Sequence, residues 1–121
     1  MKLIELTQPD FSFTDARGTI TQLVHAGYAQ VNAVFSGKGA VRGNFHYHKA
    51  TKELFYVLQG KVNVQLRYAQ EQQTTVFESG ACFQIPELVR HRMEFLEDTY
   101  LVVLYTNCVE RPDGTKDIFT D

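Results

Sequence analysis

Tryptophan is absent from this chain and cysteine occurs only twice. Each shortage removes a class of protein. Two cysteines, Cys82 and Cys108, cannot build the disulfide framework that staples small secreted domains. Neither has a Cys or His at close zinc-type spacing, so both read as small hydrophobes. No stretch approaches the roughly 18 consecutive apolar residues of a membrane span. The start, MKLIELTQPDF, carries Glu5 and Asp10 where a signal peptide needs an apolar stretch and a small-residue cleavage site. The expected location is cytoplasmic. Twelve Lys and Arg against 14 Asp and Glu leave a net charge of only −2. There is no basic block to meet nucleic acid and no polybasic patch for a membrane surface, so neither is an expected partner.

A helical stripe is also missing, because no stretch repeats apolar residues every 3.6 positions between caps. What is present is alternation. Val62, Val64, Leu66 and Tyr68 alternate with Asn63, Gln65 and Arg67, the period of a half-buried strand. Gly60-Lys61 reads as the turn after an earlier strand, Glu53–Gln59. Further runs are Thr19–His25, Gln30–Ser36, Val41–His48, Thr74–Glu78, Cys82–Pro86, His91–Leu96 and Tyr100–Thr106. The last, YLVVLYT, is almost continuously apolar and belongs in the middle of a sheet covered on both faces. The 121 residues make one domain, 1–121, with 1–17 as an N-terminal arm. Residues 108–121 lose periodicity and read as a loosely held C-terminal tail. Many short strands in a small all-β domain leave a sandwich or a closed barrel.

Three of the four histidines fall into one pattern. HYHKATKELFYVLQG places His46 and His48 two apart, Glu53 five further on and Gly60 after it. Residues two apart on a strand share a face, and a returning strand brings Glu53 beside them. GACFQIPELVRH supplies Gly80, Pro86 and a third imidazole, His91, from a distant strand. With four histidines in 121 positions, an H-x-H pair arises by chance roughly one time in ten. Requiring Glu and Gly at set offsets brings this below about one in a thousand. Imidazoles and a carboxylate converging on one point suit one borderline divalent ion per subunit, Zn, Fe, Mn or Ni.

These two halves resemble the two sequence motifs of the cupin superfamily, spaced as that family spaces them. The resemblance implies an all-β jelly-roll barrel. It also implies that His46, His48, Glu53 and His91 ligate a metal inside it, with Gly60 and Pro86 at turns. The chain departs from the family where Gly usually follows the Pro by two residues, since Leu88 stands there, and where Asn often follows the His by four, since Phe95 stands there. Upstream, FTDARGTITQL and QVNAVFSGKGAVRGNFHYHK resemble cupins that rearrange nucleotide-linked deoxysugars. These are dTDP-4-dehydrorhamnose 3,5-epimerases, dTDP-sugar 3,4-ketoisomerases and the cupin half of capsular-polysaccharide epimerase–reductases. Phe45 is an extra residue relative to their R-G element.

If strand 41–48 is regular, Arg42 and Asn44 share the inward face with the histidines and contact substrate. A buried arginine needs an anionic partner, either a structural carboxylate or the ligand. Tyr47 points away from the histidines, as do Arg90 and Arg92 from the site. Tyr56 and Tyr105 are able proton donors, though strand aromatics more often pack. His25 reads as structural, and no residue is assigned as acid or base. Three functions fit: a sugar epimerase or isomerase with the metal as Lewis acid, an Fe-dependent dioxygenase, or a non-catalytic small-molecule-binding cupin. Aromatic residues at 12% and an unpaired sheet face lead us to expect a homodimer.

Overall fold

The computed structural model describes residues 3–121, and among them every regular element is a strand. In chain order these are β1 (Glu5–Leu6), β2 (Phe11–Asp15), β3 (Gly18–Gln22), β4 (Gln30–Ser36), β5 (Val41–His46) and β6 (Glu53–Gln59). Then come β7 (Lys61–Tyr68), β8 (Glu71–Glu78), β9 (Cys82–Ile85), β10 (Arg90–Phe95) and β11 (Thr99–Tyr105). One sheet has the order β1-β9-β6-β11-β4 and a second the order β5-β10-β7-β8. From β4 to β7 and again from β8 to β11, the chain steps from one sheet to the other at every strand. That alternation makes the jelly-roll barrel implied by the histidine motifs.

Period-two patterning explains the core. Phe55 and Val57 of β6, Val62, Val64 and Leu66 of β7, and Met93 and Phe95 of β10 are all buried between the sheets. Phe83 stacks on Phe77 at 4.0 Å and on Phe55 at 5.0 Å between ring centres. Such pairs add about 0.5–1.5 kcal/mol each beyond their area burial. The near-continuous apolar strand β11 runs between β6 and β4 as expected, but its outer face is only partly covered, with Tyr100 exposed and Val102 half-buried. Leu101 and Val103 enter the main core, whereas Leu104 joins Leu54 and Cys82 in an outer cluster under Leu23, Val24 and Tyr28. Gly60 turns the chain from β6 into β7 at φ 119°, and a methyl group there would lie 2.4 Å from Thr99 Oγ1.

The two chain ends are both tied to the barrel, and the second corrects the sequence reading. The N-terminal arm is structured: Leu3 and Ile4 are core residues and β1 pairs with β9. FTDARG forms the tip of a β2–β3 hairpin, where Asp15 accepts hydrogen bonds from the backbone and guanidinium of Arg17. The C-terminal tail is not loosely held. Tyr47 and Phe119 exchange two backbone hydrogen bonds, and Asp117 is 1% exposed. A physical reason accounts for the miss: these contacts join single residues far apart in sequence, so they leave no periodic trace.

Leu88 stands where cupins usually carry glycine, and it keeps the glycine conformation at φ 71°. Its N–H donates to the His48 carbonyl at 2.7 Å, so the turn is retained against the steric preference of a side chain. The left-handed conformation costs a non-glycine residue about 1–2 kcal/mol, partly offset by the extra chain entropy that glycine loses on folding. Leu88→Gly should therefore stabilise the fold by about 0.5 kcal/mol. Thermal unfolding should show a midpoint raised by about 2 °C. A lowered midpoint would mean that the Leu88 side chain is held by packing.

Candidate functional site

The site begins with an irregularity in β5. His46 opposes His91 and Arg42 opposes Met93, so three residues of β5 face one residue of β10. The two extra residues make an irregular bulge, with Gly43 at φ 77° and Phe45 at φ 57°. Glycine is needed at 43 because an added Cβ would lie 3.0 Å from both the His46 ring and the His91 carbonyl. The unusual conformation of Phe45 turns its ring outward, where the Arg67 guanidinium stacks on it at 3.6 Å.

The bulge keeps His46 at the inner cavity and sends Asn44 outside, while Arg42 is exposed and not the buried arginine that regular alternation predicts. Asn44 lines an outer cleft with Phe45, Arg67 and Arg90, so the regular alternation assumed for 41–48 does not hold. Arg42 lines the inner cavity with His46, Glu53 and His91. Its Nε donates to Ser36 Oγ at 2.6 Å and its Nη2 to the Phe35 carbonyl at 3.0 Å. Among the described residues no carboxylate pairs with it.

His46, His48, Glu53 and His91 come together as the spacing predicts. Their nearest ligand atoms all lie within 4.8 Å of one another. Ring centres are 4.2 Å apart for His46 and His91, 5.5 Å for His46 and His48, and 5.7 Å for His48 and His91. His48, Glu53 and His91 are buried, and His46 is half-buried at the cavity wall. His48 Nδ1 donates to the Asp117 carbonyl at 2.5 Å, and His91 Nδ1 donates to the Val89 carbonyl at 3.2 Å. Both rings therefore turn Nε2 towards Glu53, which His48 contacts directly and His91 approaches to 3.3 Å. Backbone carbonyls behind imidazoles are the usual means of fixing a ligand tautomer. Three nitrogens and one carboxylate oxygen in a buried cluster fit a borderline divalent ion.

The cavity measures about 120 Å³, room for roughly four water molecules. One wall is apolar, with Phe55, Met93 and Phe95; another carries Tyr105. Burial, with Glu53 nearby, raises the Tyr105 phenol to about 12. Tyr56 instead packs against the outer cluster. Tyr47 faces away, lying between Phe119 and the Arg90 guanidinium, and Arg92 bonds Gln65. His25 is exposed and pairs with Asp10. The sequence offered no signal for Asp117, whose neighbours show neither periodicity nor ligand spacing.

Burial, reinforced by His91, lowers the His46 imidazole to about 4. Burial alone would raise Glu53, but hydrogen bonds from His48 and His91 bring it down to about 2. Burial opposes the charge on His48, yet its contact with Glu53 raises it overall. The signs set a stability profile for chelator-treated protein. The lowered values of His46 and Glu53 contribute stability that is present above about pH 6.5 and 4.5 and is lost as pH falls towards about 4 and 2. The raised value of His48 contributes stability that is full below 6.5 and lost as pH rises through its folded value. Thermal midpoints should peak near neutral pH and fall from pH 6.5 to 4.5. His46→Gln should flatten that acid limb, and an unchanged slope would show that other groups control it.

The model of the polysaccharide biosynthesis C-terminal domain matches residues 13–115. No curated protein sequence matches the chain. Among solved structures, the sugar 3,4-ketoisomerase of Thermoanaerobacterium thermosaccharolyticum in complex with TDP is 19% identical at a TM-score of 0.81. That match covers 98% of this chain and 88% of the other. The TDP-quinovose 3,4-ketoisomerase of Campylobacter jejuni is 16% identical, with TM-score 0.80 and coverage of 97% and 94%. The dTDP-4-dehydrorhamnose 3,5-epimerase of Sulfolobus tokodaii is 23% identical, with TM-score 0.72 and coverage of 92% and 74%. At these identities the likeness shows a shared fold, the cupin jelly roll. The family model spans most of the 121 residues, and the chain belongs to the polysaccharide biosynthesis C-terminal domain family.

Proposed function

We propose that this protein binds one divalent metal on His46, His48, Glu53 and His91 and epimerises or isomerises a nucleotide-linked sugar. The observation that carries the reading is the buried three-histidine, one-glutamate cluster opening on a cavity that also holds Tyr105 and an unpaired Arg42. The family's link to polysaccharide biosynthesis supports a sugar substrate. So do the structural relatives, which are ketoisomerases and epimerases of TDP-linked sugars.

Each residue contributes something definite. The cavity admits a sugar ring's reacting edge and is too small for a nucleotide, which stays outside the mouth. Arg42 lines the cavity from an exposed position and attracts the anionic part of the substrate. The metal, when bound, supplies Lewis acidity at the sugar carbonyl. Tyr105 is the remaining titratable side chain of the cavity wall, and at neutral pH it carries its proton. It gives that proton to the carbonyl oxygen, and the resulting phenolate takes the proton of the neighbouring C–H, so that an enol forms; the same two transfers in reverse remake the C–H bond. The apolar wall of Phe55, Met93 and Phe95 keeps bulk water from the reacting carbons.

Protein purified without chelator or polyhistidine tag should carry one equivalent of metal, and the double change His48→Ala with His91→Ala should remove it. Incubation with dTDP-4-keto-6-deoxyglucose in D2O should place deuterium beside the carbonyl. Tyr105→Phe should slow that exchange by about 10²–10⁴-fold. Full metal in the double variant would overturn the ligand set. Oxygen consumption by an iron form that exchanges no deuterium would shift the reading to a dioxygenase.

The active species is a homodimer. Phe11, Phe13 and Ile20 are at least half exposed on a hairpin that, among the described residues, pairs with no other strand. Edge strand β4 exposes Val31 and Phe35. Apolar area of this kind on a small domain is covered by association. Light scattering at micromolar concentration should give twice 13.8 kDa, and a mass of 13.8 kDa would remove the dimer.

A further inference from the structure

Asp117 reaches the cluster from the far end of the chain through two different groups. Its carboxylate accepts the N–H of Lys49 at 2.9 Å, the N–H of Ala50 at 3.0 Å and the hydroxyl of Thr51 at 2.7 Å. Its main-chain carbonyl accepts Nδ1–H of His48. The turn so clamped is the one that joins His48 to Glu53. Asp117 is itself anchored on both sides. Its N–H donates to the Val109 carbonyl at 2.8 Å, and Phe119 bridges Tyr47 through two backbone hydrogen bonds. Val109 is buried, and the Lys49 ammonium lies 4.1 Å over the Phe119 ring.

A carboxylate buried to 1% exposure survives only when its lone pairs are met, and here three donors converge on it. A purely structural aspartate would need nothing more. Here the same residue also fixes the face that one cluster imidazole presents. We propose that Asp117 is a positioning residue and that residues 109–119 form a strap whose docking completes the site. The carboxylate sets the turn between His48 and Glu53. The carbonyl holds the proton on His48 Nδ1 and so leaves Nε2 to the cluster. The part of this inference that concerns metal affinity rests on the metal-binding reading above; the part that concerns the His48 ring does not.

The test uses full-length, chelator-treated protein and Zn2+ as the probe. Nitrogen-edited NMR should show a His48 Nδ1–H proton protected from exchange with water. Asp117→Asn puts an amide N–H2 among donors and should abolish that protection. It should also weaken Zn2+ binding by about 10–100-fold, the usual effect of losing a partner behind a ligand. Thr51→Val removes one donor from the clamp and should give a smaller loss of both, and it decides the matter if Asp117→Asn does not fold. Phe77→Leu lowers stability in the core away from the strap and should leave both readouts unchanged. Wild-type protection and Zn2+ affinity in the folded clamp variants would overturn the proposal, as would an equal loss in Phe77→Leu. A wild type that shows the protected proton but binds no Zn2+ would sink the metal reading and leave the strap standing.

Discussion

Glu53 is a carboxylate with 4% of its surface exposed, inside a barrel otherwise filled with Phe, Val, Leu and Met. An ion so placed costs several kcal/mol unless donors or a cation replace its lost water. Much of the local structure meets that requirement. His48 and His91 bring Nε2 to the carboxylate, and each ring is braced from behind by a backbone carbonyl. The brace on His48 belongs to Asp117, a second buried carboxylate with its own donors in the turn that leads back to Glu53. Two buried charges are thus satisfied by one continuous set of hydrogen bonds, and the loss of any member strands the next.

The bulge in β5 does complementary work on the other side of the cavity. Two extra residues would ordinarily break the pairing with β10, yet registry resumes at Arg42 opposite Met93. The strand therefore keeps His46 at the cavity and Arg42 at its exposed edge, with the intervening residues folded out of the sheet. Left-handed backbone at Gly43 and Phe45 makes this possible, and the Phe45 ring regains contact by lying under Arg67. Strain of this sort is kept where the surroundings over-determine it, commonly beside functional residues.

The strand pattern and the cluster were legible in the sequence because both obey short rules. Alternation at Val62, Val64 and Leu66 follows from the two-residue period of a strand, and His46, His48 and Glu53 follow from strand geometry plus one turn. Asn44 was misplaced because parity holds only in regular strands, and Phe45 was the visible warning. Asp117 left no local mark, since its partners at the cluster and in the turn are 66 to 69 positions away. The structured ends were hidden for a similar reason: Leu3 and Ile4 gain their burial from β8, β9 and their neighbours, which no window around residue 3 contains.

The stepping of the chain between the two sheets also governs how the protein folds. Only the β2–β3 and β7–β8 pairs join strands that follow one another directly; β6 waits for β9 and β11, and β5 waits for β10. Each such pairing closes a long loop before it gains any stabilising contact, which places the barrel among slow, millisecond-to-second folders. During synthesis His46, His48 and Glu53 leave the ribosome well before His91, and the Asp117 clamp follows later still. The half-formed site is then an unpaired carboxylate and two imidazoles on an open sheet. The cluster can therefore assemble only once the barrel has closed, because its last imidazole and the brace on His48 both lie in the later part of the chain.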